Sequence, residues 1–120
     1  MKLAFLRTAV ASCALLAAQF AWAHAYPTHQ EPAAGATAPT SVNAVVIDFD
    51  DGLEPAFSSI DVTDAQGKSV IREKAKVDAQ NSKRMSVALN ALTPGKYSVV
   101  WIAVAADGHR TTGHYAFNVK

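Results

Sequence analysis

Three side chains of this sequence have the types and spacing to hold a transition metal: His24, Asp107 and His109. His24 follows Ala21-Trp22-Ala23, a small-x-small pattern that signal peptidase reads. Cleavage after Ala23 would make His24 the first residue. A terminal histidine offers both an imidazole nitrogen and a free α-amine, whose pKa near ~8 lies well below the ~10.4 of a lysine, so a metal can displace its proton close to neutrality. The two donors close a chelate ring that an internal histidine cannot form. Asp107-Gly108-His109 supplies the rest. In extended chain, residues two apart point to the same side, and Gly108 can take the positive φ that tightens a hairpin tip. Three nitrogens and one oxygen suit copper(II), which also heads the divalent affinity order. The donor list alone leaves zinc open as the rival ion.

Each component also has an ordinary structural reading. A histidine after a signal cut can be incidental, Asp107 can bond to nearby backbone amides as an Asx-turn, and His109 can be a solvated loop residue.

The elements that must position these groups follow from the rest of the chain. Met1 to Ala23 reads as a secretory signal peptide: Lys2 and Arg7 are its basic start, and an apolar run from Ala9 to Ala21 follows. That run is short for a membrane span and leads into a polar, Pro-containing segment. Val10-Ala11-Ser12-Cys13 gives a competing cut in which Cys13 becomes a lipidated amino terminus and His24 is internal. With cleavage after Ala23, 97 of the 120 residues remain, forming a single domain over 24–120. This part carries ten acidic and nine basic side chains. Such a balance argues against a nucleic-acid partner, which needs a basic face, and against electrostatic membrane docking. Cys13, the only cysteine, is outside it, so the domain has neither disulfide nor thiolate ligand. Met85 is its only methionine, which excludes a methionine-rich copper(I) cluster.

Pro27 to Pro39, rich in Pro, Ala, Gly and Thr, reads as an extended lead-in and turn. From Val42 the pattern becomes β. Val45, Ile47 and Phe49 alternate with Val46, Asp48 and Asp50, giving one buried and one mostly wet face; Ile60 and Val62, then Met85, Val87 and Leu89, then Tyr115, Phe117 and Val119 also recur at every second position. Ser69 to Ile71 suggests a further short strand. Arg72 to Lys83 reads as a strand with a solvated face followed by a loop through Gln80 to Ser82. Lys96 to Ala106 is apolar on both faces, as a central strand is, with Trp101 as a core anchor. Six or seven short strands at this spacing predict an all-β, Greek-key antiparallel sandwich or barrel, with Asp107 to Thr111 linking its last two strands.

The mature chain resembles the CopC family over nearly its whole length. The matching residues are His24-Ala25, Glu31-Pro32-Ala33-Ala34-Gly35-Ala36, Leu53-Glu54-Pro55-Ala56-Phe57-Ser58, Val62-Thr63-Asp64-Ala65-Gln66-Gly67-Lys68, Leu92-Thr93-Pro94-Gly95-Lys96-Tyr97, Val99-Val100-Trp101 and Ala105-Ala106-Asp107-Gly108-His109, then Gly113 and Phe117-Asn118-Val119. The resemblance implies a cupredoxin-like (Ig-like) β-sandwich and a periplasmic copper(II) carrier or buffer serving copper tolerance or uptake. The implied ligands are His24, Asp107 and His109. Glu54 matches a family glutamate that serves as an additional ligand or as a hydrogen-bonding support beside the metal. A CopD-type inner-membrane copper protein is the implied partner, and the chain is expected to be monomeric. Lacking a methionine cluster, it resembles the copper(II)-only subgroup. His29 and His114 stand where the family has small polar residues. His29 reads as a solvated lead-in residue, and His114 as an exposed residue on the face opposite Tyr115. Two other classes remain: a copper-dependent oxidative enzyme of the lytic polysaccharide monooxygenase type, and a metal-independent Ig-like interaction module.

Overall fold

The computed structural model describes residues 24–120. The expected leader, its cut after Ala23 and Cys13 lie outside the described residues. Among the described residues there is no helix. Eight strands run in the order β1 (Pro27–Glu31), β2 (Thr37–Ala38), β3 (Ala44–Phe49), β4 (Ser59–Thr63), β5 (Lys76–Asp78), β6 (Asn81–Ala88), β7 (Gly95–Val104) and β8 (Arg110–Val119). They form two four-stranded sheets, β1-β3-β6-β5 and β2-β8-β7-β4. The chain passes back and forth between the sheets, the crossing pattern of the Greek-key sandwich the sequence predicts. All pairings between strands are antiparallel except that of the two-residue β2 with β8.

Alternation decides what is buried. Val45, Ile47, Phe49, Met85 and Val87 line the inner face of the first sheet, and Ile60, Val62, Val99, Trp101 and Phe117 that of the second. Each sheet turns every second side chain inward, so the two apolar rows meet as one core. Trp101 packs edge-on to Phe49 with ring centroids 5.3 Å apart. On its other side it lies over Gly113, its cross-strand partner. A Cβ on Gly113 would come within 2.3 Å of Trp101 Cζ2, so only glycine leaves room for the indole.

Three segments differ from the sequence expectation. Pro27 to Glu31 is a strand, where a lead-in was expected. It is an edge strand whose pairing with β3 is made by backbone groups, and its outer residues are solvated, so it needs no apolar alternation. Ser69 to Ile71 reduces to two isolated bridges, Ser69 with Thr63 and Ile71 with Leu89. Asn81 and Ser82, expected in a loop, open β6; these residues are exposed and show no inward face to detect.

Among the described residues β7 and β8 form the longest pairing, from Gly95 with Val119 to Val104 with Arg110. Their connection closes the pole of the sandwich where the predicted metal residues gather.

Candidate metal centre

The β7–β8 connection is fixed by its own backbone. The Ala105 N–H donates to the His109 carbonyl at 2.9 Å, and the Gly108 N–H to the Ala105 carbonyl at 2.9 Å. Gly108 has φ +87°, the left-handed geometry expected of it. Asp107 completes the turn. Its Oδ1 accepts the His109 backbone N–H at 3.0 Å, and its Oδ2 lies 2.7 Å from His109 Nδ1. The Asx-turn and the imidazole contact thus occur together. These two bonds, the backbone one first, hold the Asp107 carboxyl below the usual carboxylate range; the fields of His109 and His24 act the same way. An ionised carboxylate can only accept, so the shared hydrogen sits on Nδ1, which leaves Nε2 of His109 as the lone-pair donor of the ring.

His24 arrives at the same pole from the other end of the chain. Ala25, its neighbour, is fully buried. The Thr111 hydroxyl donates to the Ala25 carbonyl at 2.6 Å. The Tyr26 N–H donates to Asp50 Oδ1 at 2.8 Å, and the Asp50 N–H returns a bond to the Tyr26 carbonyl at 2.9 Å. Clipped to the start of β8 and to the residue after β3, the segment sets the His24 ring 5.1 Å, centroid to centroid, from that of His109. Tyr26 flanks it on the other side at 5.9 Å.

A third loop approaches from β4. The Glu54 N–H donates to the Val104 carbonyl at 2.8 Å, and Ser58 Oγ accepts the Val104 N–H at 3.1 Å. Leu53 bridges to Ala105. Both backbone groups of Val104, the last residue of β7, therefore staple the loop carrying Glu54 next to the tip. Glu54 itself is exposed.

His24, Asp107 and His109 are thus brought to one end of the molecule. Among the described residues, no three His, Cys, Asp or Glu side chains form a ready-made cage. At the tip, both Asp107 oxygens are turned onto His109. In the full chain the fourth donor is a peptide nitrogen, which becomes an amine only when the bond before His24 is cut.

The remaining candidates lie elsewhere. His29 sits on the outer face of the first sheet, 3.1 Å from Glu31. His114 is exposed on the outer face of the second, opposite Val100. Met85 is fully buried in the core and is no ligand. Phe57 belongs to a motif matched by the resemblance, but its exposure has no periodic signal in the sequence, because it falls in a turn without alternation.

Comparison with known proteins agrees with this architecture. Residues 28–120 match the CopC domain, a stretch that begins just after the histidine end. Protein YobA of Escherichia coli strain K12 is 41% identical over 100 residues, covering 82% of this chain and 81% of that protein. Copper transport protein CutJ of Bacillus subtilis is 30% identical over 99 residues, which are 82% of this chain but only 18% of that much longer protein. Among solved structures, CopC from Methylosinus trichosporium OB3b superposes with a TM-score of 0.76 at 33% identity, over 81% of this chain and 94% of that one. PcoC, a methionine-rich copper resistance protein from Escherichia coli, does so with 0.72 at 27% identity, over 82% and 100%. With the sandwich, the Asp-Gly-His tip and these relatives in agreement, the chain belongs to the CopC family.

Proposed function

We propose that this protein is a periplasmic copper(II) carrier or buffer whose ion is held by His24, Asp107 and His109. Its family and its relatives, a copper transport protein and copper resistance proteins, support a copper-related role. The observation that carries the copper(II) reading is the convergence of His24 and His109, 5.1 Å apart, with Asp107 fixed beside His109. In the processed protein His24 supplies its amine and an imidazole nitrogen, and His109 supplies Nε2. Asp107 fixes His109 through Nδ1–H and becomes the oxygen donor when its Oδ2 turns to the ion. All are hard or borderline donors, and the single buried methionine gives copper(I) no soft partner.

The reading is of a binding protein without catalysis. A copper oxidase acting on a polymer needs open coordination positions and a broad aromatic surface. Here Asp107 takes one position, and five of the seven aromatic side chains of the described region are buried. The partner is a copper transport protein of the inner membrane, of the CopD type. That the matching stretch is only 18% of a longer copper transport protein in Bacillus supports that pairing.

The test is intact mass of the exported protein together with paramagnetic resonance of its copper(II) complex. A mass corresponding to a His24 start and a nitrogen-rich tetragonal spectrum are expected. Processing at Cys13, or copper binding that is indifferent to a residue added before His24, would overturn the assignment.

A further inference from the structure

The arm that carries His24 lies ahead of β1, whose first residue, Pro27, has no N–H to give a ladder. Tyr26 still takes one backbone bond, from the Asp50 N–H. One step closer to His24, side chains take over. The Ala25 carbonyl and the Tyr26 N–H belong to the same peptide group. The carbonyl accepts from the Thr111 hydroxyl at 2.6 Å, and the N–H donates to Asp50 Oδ1 at 2.8 Å. Thr111 lies on β8 in the second sheet, and Asp50 follows β3 in the first. One peptide group is therefore gripped from both sheets at the metal pole. Neither grip is local: the partners stand 86 and 24 positions apart in the chain, so only the folded domain can supply them. The longer contact of the Thr111 hydroxyl, 3.4 Å to the Ala103 carbonyl, stays within the second sheet.

A peptide group is planar and includes the α-carbons on either side. Holding its oxygen alone, or its nitrogen alone, leaves the plane free to swing on that bond. Holding both fixes the direction in which the chain leaves toward His24. The fully buried Ala25 methyl adds a third fixed point. Asp50 is exposed and has water as a competing partner. Its bond is charge-assisted, and its own N–H returns a bond to the Tyr26 carbonyl, so the two residues close a ring.

We propose that Asp50 and Thr111 are positioning residues for the copper site: by gripping the Ala25–Tyr26 peptide from both sheets, they hold His24 beside His109 before any ion arrives. The proposal rests on the carrier reading above. Both residues act through His24, and an arm already ordered spares binding the cost of ordering it.

The test begins with the processed protein free of metal. A nuclear Overhauser contact between the His24 and His109 rings, and slow hydrogen exchange of the Tyr26 amide, report the held arm. Asp50→Ala should lose both, and Thr111→Val should lose the ring contact. Cooperative thermal unfolding of each variant separates loss of the arm from loss of the fold; should Thr111→Val not fold, Asp50→Ala, at an exposed position, still decides. Each variant should weaken copper(II) about 10–100-fold, the scale of a support behind a ligand. Asp50→Asn keeps an oxygen acceptor and Thr111→Ser keeps the hydroxyl, so both should restore the contact and the affinity. Because the two grips act on one plane, the Asp50→Ala/Thr111→Val double variant should bind little more weakly than the worse single variant. If Asp50→Asn binds as poorly as Asp50→Ala, the carboxylate acts by charge and the positioning role is wrong. A ring contact that survives both single substitutions, or losses that simply multiply, would overturn it as well. If the unaltered protein binds no copper(II), the carrier reading falls, and the ring contact in the metal-free variants alone decides whether these two residues hold His24.

Discussion

Two turns at opposite ends of the second sheet are built alike and differ in what they can do. One is the Asp107-Gly108-His109 tip. The other is Asp64-Ala65-Gln66-Gly67-Lys68, after β4, where Thr63 pairs with Ser98 near the start of β7. Each opens with an aspartate that accepts backbone N–H groups: Asp64 Oδ1 takes those of Gln66 and Lys68, both at 2.9 Å, and Asp107 Oδ1 takes that of His109. Each contains a glycine in the left-handed region, Gly67 at φ +80° and Gly108 at φ +87°. The difference lies in two facts, one within the turn and one outside it. An imidazole stands two residues after Asp107, where Gln66 stands after Asp64. And only the β7–β8 tip has His24 folded against it. Turn geometry supplies a scaffold, and the neighbour supplied by the rest of the fold turns it into a candidate metal site.

The contrast can be broken at several points. The largest effect is expected from one residue added before His24. It converts the amine to an amide, and tight copper(II) binding should be abolished, as read by competition titration. The same addition should leave thermal unfolding of the metal-free protein unchanged. His109→Ala comes next. It should weaken copper(II) by more than the roughly 10–100-fold that an outer hydrogen-bonding partner is worth, whereas Gln66→Ala should leave affinity as it was. Gln66→His sharpens the comparison further. It reproduces the Asp-x-His spacing at the wrong pole, far from His24, and should add no second high-affinity ion in the titration. A stoichiometry of two would show that spacing alone suffices.

Stability effects are smaller and fall on the other turn. Asp64→Ala removes the acceptor for two backbone amides and should cost about 1 kcal/mol in denaturant unfolding, with no change in copper affinity. The smallest effect concerns a third held carboxylate, Asp48. Hydrogen bonds from Arg84, followed by its charge, keep this group below the ordinary carboxylate value. A depressed folded pKa means that its contribution is complete above the unfolded value near ~3.9 and is lost as pH falls through the lower folded value. Asp48→Asn should therefore cost a little stability at neutrality, where the pair is intact and exposed, and flatten the acid limb of the stability curve below about pH 4.

What could be read from the sequence followed physical rules. β3, the second half of β6 and β8 are half-buried strands, so Val45-Ile47-Phe49, Met85-Val87 and Tyr115-Phe117-Val119 announce them by period. β1 is an edge strand held through its backbone, and Pro27 to Glu31 gives no such signal. The Asp107–His109 convergence was legible from spacing and a glycine. The sequence reading pointed both groups toward a common ion, whereas the structure turns the carboxylate onto the imidazole. The approach of His24 to His109 could not be derived from spacing, because it depends on Ala25 burial and the Thr111 and Asp50 contacts across the fold. The sequence reading grouped the two by the chemistry of their donors and by family resemblance. The exposure of Phe57 was invisible because it depends on how the loop is stapled to Val104.

The direction of β8 has a practical consequence. This strand leaves the metal pole at Arg110 and runs to Val119, ten residues or roughly 33 Å away. A fluorophore, an affinity handle or a surface linker joined after Lys120 would therefore sit at the far end of the molecule. Immobilised that way, the protein would present its histidine end outward and unobstructed, whereas any attachment at the front would destroy what it is meant to report.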